Sequence, residues 1–539
     1  MKSLSLIHSL AVLFGITLVL LSCERTTELP ERPNIIFIMS DDHAYQAISA
    51  YSKKLLETPN IDRIADEGMI FTNACVTNSI CAPSRATILT GKHTHINGKI
   101  DNRLPFDTTN VTFPQILHDA GYQTAMFGKL HFGNNPKGFD EFKILPGQGD
   151  YYNPDFITNE GEIQVEGYVT DVITDFTLDW LENRRDGEKP FMLMYLHKAP
   201  HREWLPAPRH FKEFTSRTFP EPETLFDNYE GRGSAARQAE MNLRQHMTAC
   251  GDNKIYPEVF DELGIEEPSN WGKRVFNMKY KRFTPEQKAS WDSVYTLVNE
   301  DFKSRYPTMS DEDYMRWKYQ RYMQDYLGCI AAVDENVGRV LDYLEEKGLD
   351  ENTIIVYTSD QGFYLGEHGW FDKRFIYNES FKTPLLVKWP GVIQPGSRSD
   401  EMVQNLDFAQ TFLDAAGIAQ PDDMQGESLI PLFKGDTKSW TRDAVYYHYY
   451  EYPGSHMVKR HYGVVTTDYK LAHFYDDIDE WELYDRKKDT LELTNVYDDP
   501  AYAEVVKELH QKLDDIRIKY GDSSDLDQYY IDIYKKKQD

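Results

Sequence analysis

The chain has 539 residues, 40% of them hydrophobic and 13% aromatic, a globular composition that rules out a disordered protein and leaves room for a large core and a second domain. Its formal net charge of −28 repels nucleic acid and anionic membrane surfaces. Any site for an anionic group must therefore be a local cluster of Lys, Arg and His inside an acidic shell, which favours pocket recognition of one unit over binding along a polyanion.

The first residues read as a targeting segment. Lys2 gives a positive start, and Leu10 to Leu21 form an apolar run too short to span a bilayer comfortably. Leu20-Leu21-Ser22-Cys23 resembles a bacterial lipoprotein lipobox. That resemblance implies a signal peptide over 1–22, a lipidated Cys23, a lipid anchor in the membrane, and a periplasmic or cell-surface location. Leu21 is bulkier than its position usually carries, so ordinary secretory cleavage is the alternative. Residues 23–33 follow as a polar, Pro-containing tether. The five cysteines, Cys23, Cys75, Cys81, Cys250 and Cys329, include no Cys-x-x-Cys pair, so no zinc or thioredoxin-like site is expected; if Cys23 and Cys81 are chemically committed, the three that remain allow one disulfide and no disulfide framework.

Asn34 to Ser40 is an apolar run that predicts a strand buried on both faces of a parallel sheet. Asp41-Asp42-His43 follow at its C-terminal end, where open α/β sheets place their ligands. Two adjacent acids need a counter-cation, most simply a hard divalent ion; a solvated loop is the alternative. Thr58 to Ala65 read as a capped helix closed by Gly68, and Met69 to Ala74 as a second strand. Cys81-Ala82-Pro83-Ser84-Arg85 opens a helix continued by Ala86 to Leu89, with Pro83 in the first turn. A thiol at a helix N-terminus is expected to have a lowered pKa.

Tyr122 to Phe127 predict the next strand, ending in Gly128-Lys129-Leu130-His131. Val169, Val172, Phe176 and Trp180 mark a core-facing helix. The strand Phe191 to Leu196 runs into His197-Lys198-Ala199-Pro200-His201, in which His197 reads as structural. Residues 205–320 are polar, aromatic and broken by Pro and Gly, and read as an insertion on the active-site side, with some helix between Pro285 and Tyr326. Tyr322, Tyr326, Ile330, Val333, Val337, Leu341 and Leu344 form the core stripe of a long helix ending at Gly348. A buried strand around Ile354 to Tyr357 then leads to Asp360-Gln361-Gly362, repeating the strand-then-acid pattern, and to Asp372-Lys373-Arg374. A helix from Leu406 to Ala416 closes this part. After Gly435, short Tyr-rich runs separated by turns predict a small antiparallel sheet, with a helix from Ala501 to Tyr520 packed on it and a solvated tail from 526.

The Cys-x-Pro-Ser-Arg core of Cys81 to Arg85, with its trailing Thr90-Gly91, resembles the signature of the formylglycine-dependent sulfatases of the alkaline-phosphatase superfamily. Gly-Lys-x-His at 128–131, Ala-Pro-His at 199–201, the two acid blocks and Lys373 resemble that family's other blocks in the family's order. The resemblance implies an α/β fold: an alkaline-phosphatase-like mixed sheet sandwiched by helices, with a smaller C-terminal antiparallel-sheet subdomain. The boundaries are 34–435 for the catalytic domain, with the 205–320 insertion, 436–525 for the subdomain and 526–539 for the tail. It implies that a maturation enzyme oxidises Cys81 to formylglycine, whose hydrate attacks the sulfur of a sulfate ester. Asp41, Asp42, Asp360 and Gln361 would share a metal ion with the modified Cys81; calcium suits these oxygen donors, whereas magnesium demands stricter octahedral geometry. Arg85 would buttress the nucleophile, Lys129 and Lys373 would neutralise sulfate oxygens, His131 would hydrogen-bond the formylglycine hydroxyl, and His201 would be the general acid. Lys129, His201 and Lys373 would thus also bind substrate, and Asp372 and Arg374 would grip sugar hydroxyls unless they only pair with each other.

Ser359 to Tyr364 through Lys373-Arg374, and His473 to Tyr475 through Trp481 to Asp485, resemble carbohydrate sulfatases related to N-acetylglucosamine-6-sulfatases. The expected substrate is therefore a 6-O-sulfated N-acetylglucosamine of glycosaminoglycan or mucin. Marine polysaccharide sulfates, a phosphonate or phosphate monoester within the same superfamily, and a non-catalytic lipoprotein that binds sulfated glycans are the alternatives; Cys81, Lys129, His201 and Lys373 argue against the last.

Overall fold

The computed structural model describes residues 32–536; the expected targeting segment, Cys23, most of the tether and the last three residues lie outside the described residues. Ten strands form one mixed sheet, in the order Ser397–Ser399, Met69–Phe71, Leu385–Lys388, Thr353–Ser359, Asn34–Ser40, Phe191–Leu196, Gln123–Gly128, Glu141–Ile144, Asp155–Thr158 and Gly161–Gln164. Its centre is parallel: Asn34–Ser40 pairs with Thr353–Ser359 on one side and with Phe191–Leu196 on the other, and Gln123–Gly128 pairs with Phe191–Leu196. Alternation along the first strand sends Ile36 and Ile38 into one hydrophobic cluster and Ile35, Phe37 and Met39 into another, so both faces are covered. This is the mixed α/β architecture that the resemblance implies.

The run Met69 to Ala74 does not form one strand. It splits into Met69–Phe71, in the large sheet, and Ala74–Cys75, which pairs with Val403–Gln404 in a separate two-stranded ladder. Thr72 and Asn73 turn between them, with Thr72 Oγ1 donating to Asp400 Oδ1 at 2.6 Å. The long helix begins earlier than its apolar stripe suggests, spanning Asp311–Glu346, because Ser310 caps it by accepting from Asp313 N at 3.1 Å. Its first third is buried against the 205–320 segment, which contributes the helices Trp271–Lys281 and Pro285–Arg305.

Ala444–Tyr449, His461–Thr466, Tyr469–Phe474 and Glu480–Asp485 make the expected antiparallel sheet, and Ala503–Tyr520 lays Leu509, Leu513 and Ile516 on it. The solvated tail expected from residue 526 is instead mostly helix, Ser524–Lys536. Tyr530 and Tyr534 are four apart and bury together with Ile100 and Tyr450, and the Tyr534 hydroxyl donates to Asp101 Oδ2 at 2.6 Å. The four cysteines among the described residues are all free and buried. No helix among the described residues is long and apolar enough to cross a membrane.

Candidate active site

Strand register brings the candidate residues together. Ser40 and Ser359 are register partners, so the segments that follow, Asp41-Asp42 and Asp360-Gln361, leave the sheet side by side. Asp42 N donates to Asp360 Oδ1 at 3.1 Å. Gly128 is the register partner of Leu196 on the other flank, which places Lys129 beside the turn that carries His197 to His201. Gly128 has a φ of 111°, and a side chain there would run into the Leu196 carbonyl, so only glycine brings Lys129 this close.

Cys81 is the first residue of the helix Cys81–Thr90 and is fully buried. Its Sγ lies 3.4 Å from Asp41 Oδ1 and 4.0 Å from Lys129 Nζ. Six charged side chains close round it. Lys129 pairs with Asp41, and Lys373 Nζ is 2.6 Å from Asp42 Oδ1. Arg85 donates from Nε and Nη2 to Asp360 Oδ2 at 3.0 and 2.9 Å, and Nη2 is 3.4 Å from Asp41 Oδ2. Three buried carboxylates thus face three buried cations, which is how buried charge is tolerated. Asp42, His131, Asp372 and Arg374 all have positive φ, a concentration of strained backbone of the kind that collects at functional sites.

The electrostatics follow. Against the cost of burial, Lys129, His201, Arg85 and Lys373 hold Asp41 well below the usual carboxylate range. Burial pushes Asp42 up to about 7; the Lys373 ammonium opposes this, while Asp41 and Asp360 reinforce it. The expected acidic thiol is not found. Burial, reinforced by the Asp41 carboxylate, raises Cys81 above an ordinary cysteine and outweighs the helix N-terminus. The unmodified thiol is therefore a poor nucleophile. His201 is held well below its ordinary value by burial and by the Lys129 charge.

Asp41, Asp42, Cys81 and His201 can bring one ligand atom each within 4.8 Å of one another. Asp360 is not in that group, its carboxylate being taken up by Arg85 and the Asp42 amide. Among the described residues, Gln361 Oε1 is buried without a hydrogen-bond partner, while its amide nitrogen donates to Asp42. A buried, unpartnered amide oxygen beside clustered carboxylates fits a hard, oxygen-preferring divalent cation. His131 Nδ1 is likewise buried without a partner. His201 Nδ1 lies 2.5 Å from the Arg202 carbonyl, so this nitrogen carries the proton, and Nε2 faces Asp42 Oδ2 at 3.7 Å.

Asp372 and Arg374 do pair with each other, Nε to Oδ1 at 3.0 Å, and the C-terminal subdomain joins them. His456 Nε2 is 3.2 Å from Asp372 Oδ2, and Arg374 Nη1 is 3.4 Å from Glu451 Oε1. His456 and Glu451 carried no motif that would single them out. Gln148, in a loop, whose Oε1 accepts from Lys129 Nζ, and Asn405, which opens the 3-10 turn Asn405–Asp407 and whose Nδ2 donates to Ser84 Oγ at 2.8 Å, likewise belong to no motif. His197 is buried without hydrogen-bond partners for its ring nitrogens among the described residues.

The family model described as sulfatase matches residues 33–418, and the model for the C-terminal part of N-sulphoglucosamine sulphohydrolase matches 366–519. An N-acetylglucosamine-6-O-sulfatase of Bacteroides thetaiotaomicron is 50% identical over 502 residues, covering 92% of this chain and 88% of the relative. The human N-acetylglucosamine-6-sulfatase is 28% identical over 442 residues, 77% of this chain and 67% of its own. A solved structure in complex with its substrate, D-glucosamine-2-N,6-O-disulfate, superposes with a TM-score of 0.87 at 49% identity, covering 92% of this chain and 99% of that one.

Proposed function

The chain belongs to the sulfatase family and is a sulfuric ester hydrolase, and we propose that it removes the 6-O-sulfate of an N-substituted glucosamine in glycosaminoglycan or mucin chains. What carries this reading is the buried cluster in which Cys81 and Arg85, on the helix Cys81–Thr90, meet Lys129, just past the strand Gln123–Gly128, and Lys373, in a chain half identical to an N-acetylglucosamine-6-O-sulfatase. The relative solved with a 6-O-sulfated glucosamine supports the same sugar.

Sulfatases generally use a formylglycine and a divalent metal. In this reading Cys81 is the residue matured, Asp41, Asp42, Asp360 and Gln361 are the ligands, and calcium is the ion. Formylglycine supplies a hydrated aldehyde as nucleophile, and the ion neutralises sulfate charge. Lys129 and Lys373 offer ammonium donors to the sulfate oxygens as charge shifts onto them. Arg85 holds Asp360 and the first helical turn in place. His131, with an unpartnered ring nitrogen, hydrogen-bonds the nucleophilic hydroxyl. The Arg202 carbonyl fixes the His201 tautomer at Nδ1, which leaves Nε2 to hold the proton delivered to the sugar oxygen once an anionic substrate favours the charged ring. Asp372 and Arg374, braced by His456 and Glu451, are the contacts to sugar hydroxyls. Residues 1–22 direct export, and lipidation of Cys23 holds the enzyme at the membrane.

Turnover of an aryl sulfate, an aryl phosphate and a panel of regiospecifically sulfated amino sugars by the matured enzyme tests this. A rate on 6-O-sulfated glucosamines far above that on 3-O-sulfated sugars and on the phosphate is expected. Preference for the phosphate, or for another sulfate position, would overturn it.

A further inference from the structure

Arg202 follows His201 directly, yet its side chain is gripped by the 205–320 segment. Nε and Nη2 donate to Asp252 Oδ1 and Oδ2 at 2.7 and 2.6 Å. Asp252 is itself fully buried and takes the Thr248 amide and hydroxyl at 2.7 and 2.9 Å. The guanidinium carbon lies 4.5 Å from the ring centre of Trp271 and 4.9 Å from that of Phe371. The plane is thus fixed by a bidentate ion pair and two aromatic rings, and Nη1 makes no hydrogen bond among the described residues. The Arg202 side chain is 17% exposed, so this donor pair is left facing solvent.

Its place in the site gives that donor a use. Phe371 is two residues from Lys373, at most roughly 7.6 Å between Cα atoms. His456, which braces Asp372, also packs on Phe371, with ring centres 5.3 Å apart. One wall therefore runs from the sulfate-holding lysine to Arg202, within reach of a single sugar and its neighbour. A rigid guanidinium with one open donor edge is matched to an anionic oxygen pair.

We propose that Arg202, held by Asp252 and Trp271, is a specificity-determining residue that binds a second anionic group of the substrate through Nη1. The inference rests on the 6-O-sulfated glucosamine reading and adds what surrounds the reacting sulfate. Two sources offer this chemistry: an N-sulfo group on the same sugar, or the carboxylate of an adjoining uronate.

The test compares kcat/KM of the matured enzyme on 6-O-sulfo-N-acetylglucosamine, N,6-O-disulfoglucosamine and a 6-O-sulfo-N-acetylglucosaminyl disaccharide bearing a uronate. Arg202→Met should cost about ten- to hundredfold on whichever substrate supplies the second anion, chiefly through KM, and less than about threefold on the neutral-substituted sugar. The substrate that loses most identifies the source. Because Arg202→Met leaves Asp252 buried without its partner, Trp271→Leu, which keeps that pair, is measured beside it and should move the same substrate in the same direction. Equal losses on all three substrates would make Arg202 a prop for His201, and no loss on any would leave it outside the site; either result overturns the proposal. If the unsubstituted enzyme turned over none of the three, the substrate reading itself would fall, which the variants alone could not bring about.

Discussion

The Lys373 ammonium closes on the Asp42 carboxylate, with Nζ 2.6 Å from Oδ1 and 2.8 Å from Oδ2, and both residues are buried. Each is the other's countercharge, so removing Lys373 strands a buried carboxylate. In the presence of chelator, Lys373→Met should destabilise the protein by about 3–5 kcal/mol. A calcium ion held by Asp41, Asp42, Asp360 and Gln361 would replace the lost charge. Calcium should therefore restore most of the melting temperature of Lys373→Met while activity stays lost, and Asp42→Asn should abolish the calcium response. Saturating metal typically adds about 2.7 kcal/mol at roughly a hundredfold excess over Kd. A melting curve of Lys373→Met indifferent to calcium would exclude a metal site at Asp42.

Maturation is tested on the helix that Cys81 opens. The thiol is buried and its pKa raised, so the unmodified protein has no competent nucleophile at neutral pH. Mass spectrometry of the tryptic peptide running from Ile64 to Arg85 should show an aldehyde in place of one thiol, at Cys81 and not at Cys75, when a maturation enzyme is co-expressed. Cys81→Ala should be inactive with an unchanged melting temperature. Full activity with an intact Cys81 thiol would refute the assignment.

His201 should matter in proportion to the basicity of the leaving group. A sugar alkoxide needs a proton and a nitrophenolate hardly does, and general acid catalysis contributes ~10²–10⁴-fold. His201→Ala should therefore reduce turnover of a sulfated sugar by that order and of nitrophenyl sulfate far less. Equal losses on both would mean that His201 binds sulfate instead of protonating the leaving oxygen.

The residues at the strand ends are legible because Ile35 to Met39 and Ile354 to Val356 are unbroken apolar runs, and a strand buried on both faces ends abruptly at its first charged residue. Parallel register then brings Asp41, Asp360, Lys129 and His201 together without further information. What lay beyond sequence reading is pairing between distant loops. Nothing in Gly-Asp252-Asn announces the partner of Arg202, and nothing in the turn around His456 announces Asp372. The helix Ser524–Lys536 reads as a tail for a different reason: it ends in the charged run Lys535-Lys536-Lys537, and its apolar signal is confined to the short i, i+1, i+4 stripe of Tyr530, Ile531 and Tyr534. The early start of the helix Asp311–Glu346 was hidden likewise, since Lys318 and Arg321 look like surface residues until the 205–320 segment buries them.

Lys198 stands between the two histidines of its loop and is 1% exposed, yet no carboxylate lies within 4.0 Å of its ammonium among the described residues. Nζ sits 4.7 Å above the Tyr151 ring and reaches only the Arg202 carbonyl, at 3.5 Å. Burial, with Lys279 and Lys129 nearby, pulls its pKa down from 10.5 to about 8. The sign of the consequence is fixed by that direction. Between pH 8 and 10.5 the unfolded chain holds a proton that the folded one has released, so stability from this group rises with pH across that window and is lost as pH falls through 8. At pH 7 the folded protein therefore carries a penalty of about 3 kcal/mol for keeping this charge. Lys198→Met removes the penalty, so its stability relative to the unsubstituted enzyme should be greater at pH 7 than at pH 10, by up to that amount, in urea melts. The same ammonium acts on His201 and adds positive potential beside Lys129, where an anionic substrate arrives. The variant should accordingly be the more stable protein and the slower enzyme, with kcat/KM down by roughly tenfold and more so at low ionic strength. A stability difference that does not change with pH would show that Lys198 is already neutral or otherwise compensated in the fold, and unchanged kcat/KM would show that its charge does not reach the substrate.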